Sequence, residues 1–188
     1  MERRGFAAVL GPSGCGKSTL LNIVSGTVPP DSGSILIDGR AVQSGRGRVA
    51  YMQQNDLLLP WRTAVENAIL GPELQRADRR EARKGAEGLF HRFGLGSFEG
   101  CYPAELSGGM RQRVALIRTL LTQKEILLLD EPFGSLDAMT RRVLHRYLLQ
   151  VFEEFGKTIV FVTHDLEEAL LLADRVYLLT SRPARVKS

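Results

Sequence analysis

Residues 11–19 read Gly-Pro-Ser-Gly-Cys-Gly-Lys-Ser-Thr, entered from the apolar run Phe6–Leu10 and followed by Leu20, Leu21, Ile23 and Val24. A short apolar run, a glycine-rich turn and an amphipathic continuation describe a buried strand feeding a helix. The spacing G-x-x-x-x-G-K-S is that of a loop folded around phosphates. Gly11 and Gly16 permit the tight turns that aim backbone N–H groups inward, and Pro12, Ser13, Gly14 and Cys15 form the cradle between them. Lys17 brings a point charge toward the β- and γ-phosphates, and Ser18 a hydroxyl for Mg²⁺. Thr19 carries the loop into the helix, whose positive dipole end faces the same anion. Cys15 has no chemistry of its own in this reading.

Outward from the loop, strands and helices alternate. Ile35–Ile37 is a strand closed by the Asp38-Gly39 turn, and Val49–Met52 is another. Residues from Leu57-Leu58-Leu59-Pro60-Trp61 to about Phe93 are helix-biased, with Ala82, Ala86, Leu89, Phe90 and Phe93 at helical spacing. A helix begins at Ser107, with Met110, Val114, Ile117 and Leu121 on one stripe. Ile126–Leu129 reads as a second buried strand, Leu136 to Phe152 as a long helix stopped at Gly156, Ile159–Val162 as a strand and Val176–Leu179 as the last one. Asp165 with Glu168 three residues on resembles a capping box for the helix through Leu172. The expected fold is α/β, a mainly parallel sheet flanked by helices, with an inserted helical subdomain. Its boundaries are 1–54 and 124–188 for the core and 55–123 for the insertion.

Composition narrows the class. Apolar residues make up 44% and charged ones 24% of 188, as in a globular domain with a real core. No apolar run approaches the ~20 residues needed to span a bilayer. Met1-Glu-Arg-Arg leads into no signal-peptide core, so the chain is expected in the cytoplasm, any membrane role coming through a partner. Net charge is +4 with the arginines dispersed among acids; the densest patch, Arg76–Lys84, reads as a solvated helix face, and no nucleic acid is expected. Two cysteines, Cys15 and Cys101, suit a reducing compartment.

Two further stretches carry chemistry. The strand Ile126–Leu129 ends in Asp130 and Glu131, which can hold Mg²⁺ through water and polarise an attacking water as general base, respectively. In such sheets ligands sit beyond the carboxyl ends of strands, where Gly11, Asp130 and His164 all fall. Leu106-Ser-Gly-Gly-Met-Arg-Gln-Arg113 places Gly108 and Gly109 at a helix start, where each costs roughly 1 kcal/mol against alanine. They let an anion approach the backbone amides, with the Ser107 hydroxyl as an extra donor. A second phosphate site makes sense if it completes the nucleotide site of another copy.

The chain resembles the ATP-binding subunits of ABC transporters over nearly its whole length. Gly11–Ser18 matches Walker A, Gln54 the Q-loop, Leu106–Arg113 the signature with Met110 in place of glutamine, Ile126–Glu131 Walker B, Ser135-Leu136-Asp137 the D-loop and His164 the switch histidine. The resemblance implies head-to-tail dimers in which Ser107, Gly108 and Gly109 act in trans on ATP. It implies that Gln54 reaches Mg²⁺ and the attacking water and reports to a membrane permease, and that His164 contacts the γ-phosphate. Leu57–Asn67 and Tyr102–Arg113 are similar to importers of the nitrate, sulfonate and taurine group and to carriers of thiamine-precursor pyrimidines. The implied setting is peripheral, on the cytoplasmic face of the membrane, with a solute-binding protein as an indirect partner. Relative to this family only ten residues precede Gly11, without an adenine-stacking aromatic; Phe6 is expected in the core, and the chain reads as N-terminally truncated. A DNA-acting ATPase with the same cassette, and a nucleotide-binding remnant without turnover, are the alternatives.

Overall fold

The computed structural model describes residues 4–134 and 136–187, apart from the side chains of Val151 and Phe155. Ser135, and with it the first position of the expected D-loop, lies outside the described residues. Strands β1 (Phe6–Leu10) and β5 (Ile126–Asp130) have no polar face, and both are interior strands. The main sheet runs β4 (Val49–Met52), β5, β6 (Thr158–Thr163), β1, β7 (Arg175–Leu179) and β8 (Val186–Lys187). All pairs are parallel except β7 with β8. Continuous apolar strands are what a parallel sheet buried on both faces requires. The two-residue β8 escapes sequence reading because it is too short to show alternation.

Strands β2 (Ile35–Ile37) and β3 (Arg40–Val42) form a separate antiparallel hairpin turned at Asp38 and Gly39, both at positive φ. Helix α1 (Lys17–Ser25) packs on β4 and β5, and α7 (Leu166–Leu172) on β1 and β6. Phe6 is 1% exposed, with its ring edge-on to Phe152 and Phe161 at 5.4 and 5.8 Å, so it is a core residue as expected.

The chain divides into two compact units. The first comprises 1–53, 124–131 and 151–188; the second comprises 54–123 and 132–150. Residues 132–150, placed with the α/β core by the sequence reading, thus cluster with the helical unit. There Phe133, Leu136, Leu144 and Leu148 are buried, and Tyr147 lies 6.1 Å from Phe93. An amphipathic helix goes where its apolar stripe finds a partner, which sequence position does not dictate.

In the second unit the helix-biased stretch resolves into α2 (Ala64–Ala68), α3 (Leu70–Leu74) and α4 (Arg79–Arg92), followed by a 3-10 turn at Pro103–Glu105 and α5 (Gly108–Leu120). Helix α6 (Ala138–Phe155) comes after β5. Thr63 and Glu66 form a reciprocal capping box at α2. The expected box at α7 is different: Asp165 caps the amides of Glu167 and Glu168, but the Glu168 carboxylate accepts from buried Thr163 Oγ1, which accepts from Asp165 N. The reciprocal arm is replaced by a buried hydroxyl relay.

Candidate functional site

The loop Gly11–Gly16 joins β1 to α1, and its glycines answer two different demands. At Gly14 (φ +75°) and Gly16 (φ +112°) a Cβ would meet nothing within 4 Å, so the left-handed backbone is the constraint. At Gly11 a Cβ would lie 3.0 Å from Cys15 Sγ and 3.1 Å from Leu179 Cβ, so space is the constraint. Cys15 is buried in the core with Val9, Leu21, Leu128, Val162 and Leu179. Lys17 is 7% exposed and donates from Nζ to Gly11 O at 2.8 Å and Pro12 O at 3.1 Å. The ammonium is thereby held across the mouth of the loop. Pro12, Ser13, Gly14 and Thr19 are exposed, and Gly16 caps α1 without a side chain, leaving the first-turn amides to face an anion.

Register brings the acids to the same edge. Asp130 pairs with Val162 and Leu10 with Thr163, so Gly11, Asp130, Glu131 and His164 all follow the carboxyl ends of adjacent parallel strands. Asp130 is 2% exposed and accepts from Tyr51 Oη at 3.4 Å on Oδ2, and among the described residues its buried Oδ1 receives no hydrogen bond. Burial above all raises the Asp130 pKa, with the Glu131 charge adding to it; the Ser18 and Tyr51 hydroxyls and the Lys17 ammonium oppose the shift. The same burial and the Asp130 charge push the Tyr51 phenol up. A buried carboxylate oxygen beside a serine hydroxyl is a hard, oxygen-only donor pair suited to Mg²⁺, which keeps most of its shell as water and phosphate. Among the described residues no group of three or more His, Cys, Asp or Glu side chains forms a protein-only cage. The donor set fits an ion brought in with a nucleotide.

Glu131 sits one residue beyond the strand at φ +48°, a left-handed conformation unusual for a side-chain-bearing residue. Its amide donates to Val162 O at 3.0 Å, and His164 Nδ1 stands 3.3 Å from Glu131 Oε1. The structure therefore unites the loop, Asp130, Glu131 and His164 in the first unit.

Gln54 and Ser107–Gly109 belong to the second unit. Gln54 is exposed in an irregular segment. Ser107 is the N-cap of α5: its Oγ accepts from Met110 N at 3.2 Å, a bond that leaves the hydroxyl hydrogen to donate elsewhere. Gly108 and Gly109 occupy the first helical positions, and a Cβ on Gly108 would meet only the Arg111 guanidinium, at 3.8 Å. Asp137 caps α6 by accepting from Thr140 N, and hydrogen bonding from Thr140 lowers its pKa.

Sequence reading missed Tyr51, whose partner lies 79 residues away. A tyrosine in an otherwise apolar strand was the available signal, but its meaning depends on β4 lying beside β5. It also missed Arg111 and Arg118, which bind the segment after Gln54.

Comparison with known proteins gives one answer throughout. The ABC transporter family matches residues 1–134. The taurine import ATP-binding protein TauB of Rhizobium johnstonii is 45% identical over 99% of this chain and 71% of its own length. The formylaminopyrimidine import ATP-binding protein ThiZ of Halalkalibacterium halodurans is 47% identical over 95% of this chain and 69% of its own. Among solved structures, the post-hydrolysis dimer of the ATP-binding cassette MJ0796 bound to ADP and Pi superposes with a TM-score of 0.86 at 31% identity, covering 99% of this chain and 87% of that one. With its phosphate loop and strand-end acids on a parallel sheet flanked by helices, the chain belongs to the ABC transporter family and is an ATP-binding cassette ATPase.

Proposed function

We propose that this ATPase is the motor subunit of a binding-protein-dependent importer, in which its two units act as a single domain that works in pairs on the cytoplasmic face of the membrane. The carrying observation is the convergence of the loop, Asp130, Glu131 and His164 at the strand ends, while a second anion-suited backbone site, Ser107–Gly109, belongs to the other unit. Two such sites on one chain make sense when each ATP lies between the loop of one copy and the Ser107 helix start of the other. The names of TauB, ThiZ and the nitrate import ATP-binding protein NrtC of Synechococcus elongatus support uptake of a small polar solute in the taurine, formylaminopyrimidine or nitrate range. The partners of this reading are a membrane permease and, through it, a solute-binding protein.

Lys17 and the amides of residues 11–19 hold the phosphates, and Ser107, Gly108 and Gly109 of the second copy close over them. Ser18, Asp130 and Gln54 would hold Mg²⁺. Bound there, Mg²⁺ neutralises charge on the phosphate oxygens. Glu131 accepts the proton of the attacking water, and its fixed backbone keeps the carboxylate at the strand end. His164, beside Glu131, contacts the γ-phosphate.

Mg-ATP turnover per chain, measured against protein concentration, tests the paired reading. The rate is expected to rise with concentration; a measurable rate that stays flat would overturn the shared site. Glu131→Gln should lower turnover by about 10²–10⁴-fold while ATP binding persists. Undiminished hydrolysis would remove Glu131 from the mechanism.

A further inference from the structure

Segment 56–61, which follows Gln54, is held from below by α5. Arg111 and Arg118 lie on one face of that helix, two turns or about 10.5 Å apart. Arg111 Nε donates to Asp56 Oδ2 at 3.0 Å. Arg118 donates from Nη1 to Leu57 O at 2.8 Å and from Nη2 to Asp56 O at 2.5 Å. Asp56 Oδ1 accepts from Leu58 N at 3.1 Å, and Leu59 N donates to the wholly buried Asn67.

Within the held segment Leu57 lies at φ +47° and is 52% exposed, and Trp61 is 71% exposed. Two large apolar side chains thus stand in water on a backbone that polar bonds restrain. Two consecutive carbonyls taken by one planar guanidinium is a geometry that an ammonium does not reproduce. Arg118 is buried enough for desolvation to lower its pKa, with Asp56 opposing. The Arg111–Asp56 pair is partly exposed, so it contributes modestly by itself.

We propose that Arg118 is a positioning residue that clamps segment 56–61 to the helix beginning at Ser107–Gly109, so that Leu57, Trp61 and the signature end of α5 move as one piece. Its functional part rests on the reading above, in which Gln54 and Ser107–Gly109 meet ATP. A change at the ATP-facing start of α5 is then felt at Leu57 and Trp61 without a flexible joint between them.

Trp61 is the single tryptophan of the chain, so its fluorescence anisotropy reports on the segment without a label. Arg118→Met keeps the stem and removes both donors. Trp61 anisotropy should fall and amide exchange at Leu58 and Leu59 should speed up by about tenfold, with the amides of Val114–Ile117 unchanged. ATP affinity should stay within about twofold, and kcat should fall with KM unmoved. Arg118→Lys, able to reach one carbonyl, should recover part of the anisotropy. Unchanged anisotropy and exchange in Arg118→Met would overturn the clamp. Loss of ATP affinity together with protection throughout α5 would overturn it too, by making Arg118 a general structural residue. If no form of the purified chain turns over ATP, the importer reading fails, and anisotropy and exchange still decide the clamp.

Discussion

The strand-end cluster of the first unit and the α5 cluster of the second solve the same problem, holding polar groups still, by different means. At the strand ends the backbone does the positioning. Parallel register sets Gly11, Asp130, Glu131 and His164 side by side, and α1 leaves its first amides open. Around α5 the side chains do it: Arg118 and Asn67 reach back to carbonyls and an amide of an irregular segment, and Arg111 to its Asp56 carboxylate. A sheet edge is supported by its whole hydrogen-bond network, so it tolerates a charge as badly solvated as Asp130. A loop tied by a few side chains can be released by removing one of them. The first arrangement suits a place where chemistry is done, and the second a place where a change is passed on.

The comparison can be broken most severely at Asp130. Asp130→Asn should lower Mg-ATP turnover by on the order of 10²-fold or more and yet stabilise the fold. Because burial raises the folded-state pKa of this carboxyl, its contribution to stability is fully present below the unfolded value and is lost as pH rises through the folded one. The asparagine protein should therefore melt a few degrees higher at pH 8, with the gap closing on acidification. A wild type that melts higher at pH 8 would mean that the buried carboxylate is compensated better than its geometry suggests.

Phe161→Ala, at a fully buried position of β6, should cost about 3–5 kcal/mol in urea unfolding. Asn67→Ala, in the other unit, should cost about 2–3 kcal/mol, because it strands Leu59 N and the Arg62 carbonyl and leaves the carbonyls of Leu59 and Thr63 only their backbone donors. A loss below about 1 kcal/mol there would show water replacing the amide and weaken the case for side-chain positioning. Thr63→Ala removes one half of the α2 capping box and should cost about 1 kcal/mol by thermal melting.

Residues 11–19, the acids at 130 and 131 and the Ser107 helix start were legible because each is a local pattern whose chemistry follows from adjacent residues. The strands were legible for the same reason: β1 and β5 admit no polar residue before their ends. Tyr51 was not legible, since its hydroxyl acquires meaning only when β4 lies against β5. Arg111 and Arg118 read simply as the polar side of a helix, and nothing near them in sequence announces Asp56 or Leu57. The sequence reading counts residues 132–150 with the α/β core, whereas the apolar face of α6 decides where they pack.

The sequence by itself determined the alternation of strands and helices, the phosphate loop, the two strand-end acids and the membership of the chain in its family, because those depend on side-chain periodicity and on backbone conformations that glycine alone adopts freely. The tertiary structure alone decided that Asp130 is buried beside Tyr51, that Glu131 takes a left-handed backbone next to His164, and that α5 grips the segment after Gln54. Those outcomes need residues tens of positions apart to meet, and whether they meet is settled by strand order and packing rather than by neighbours along the chain.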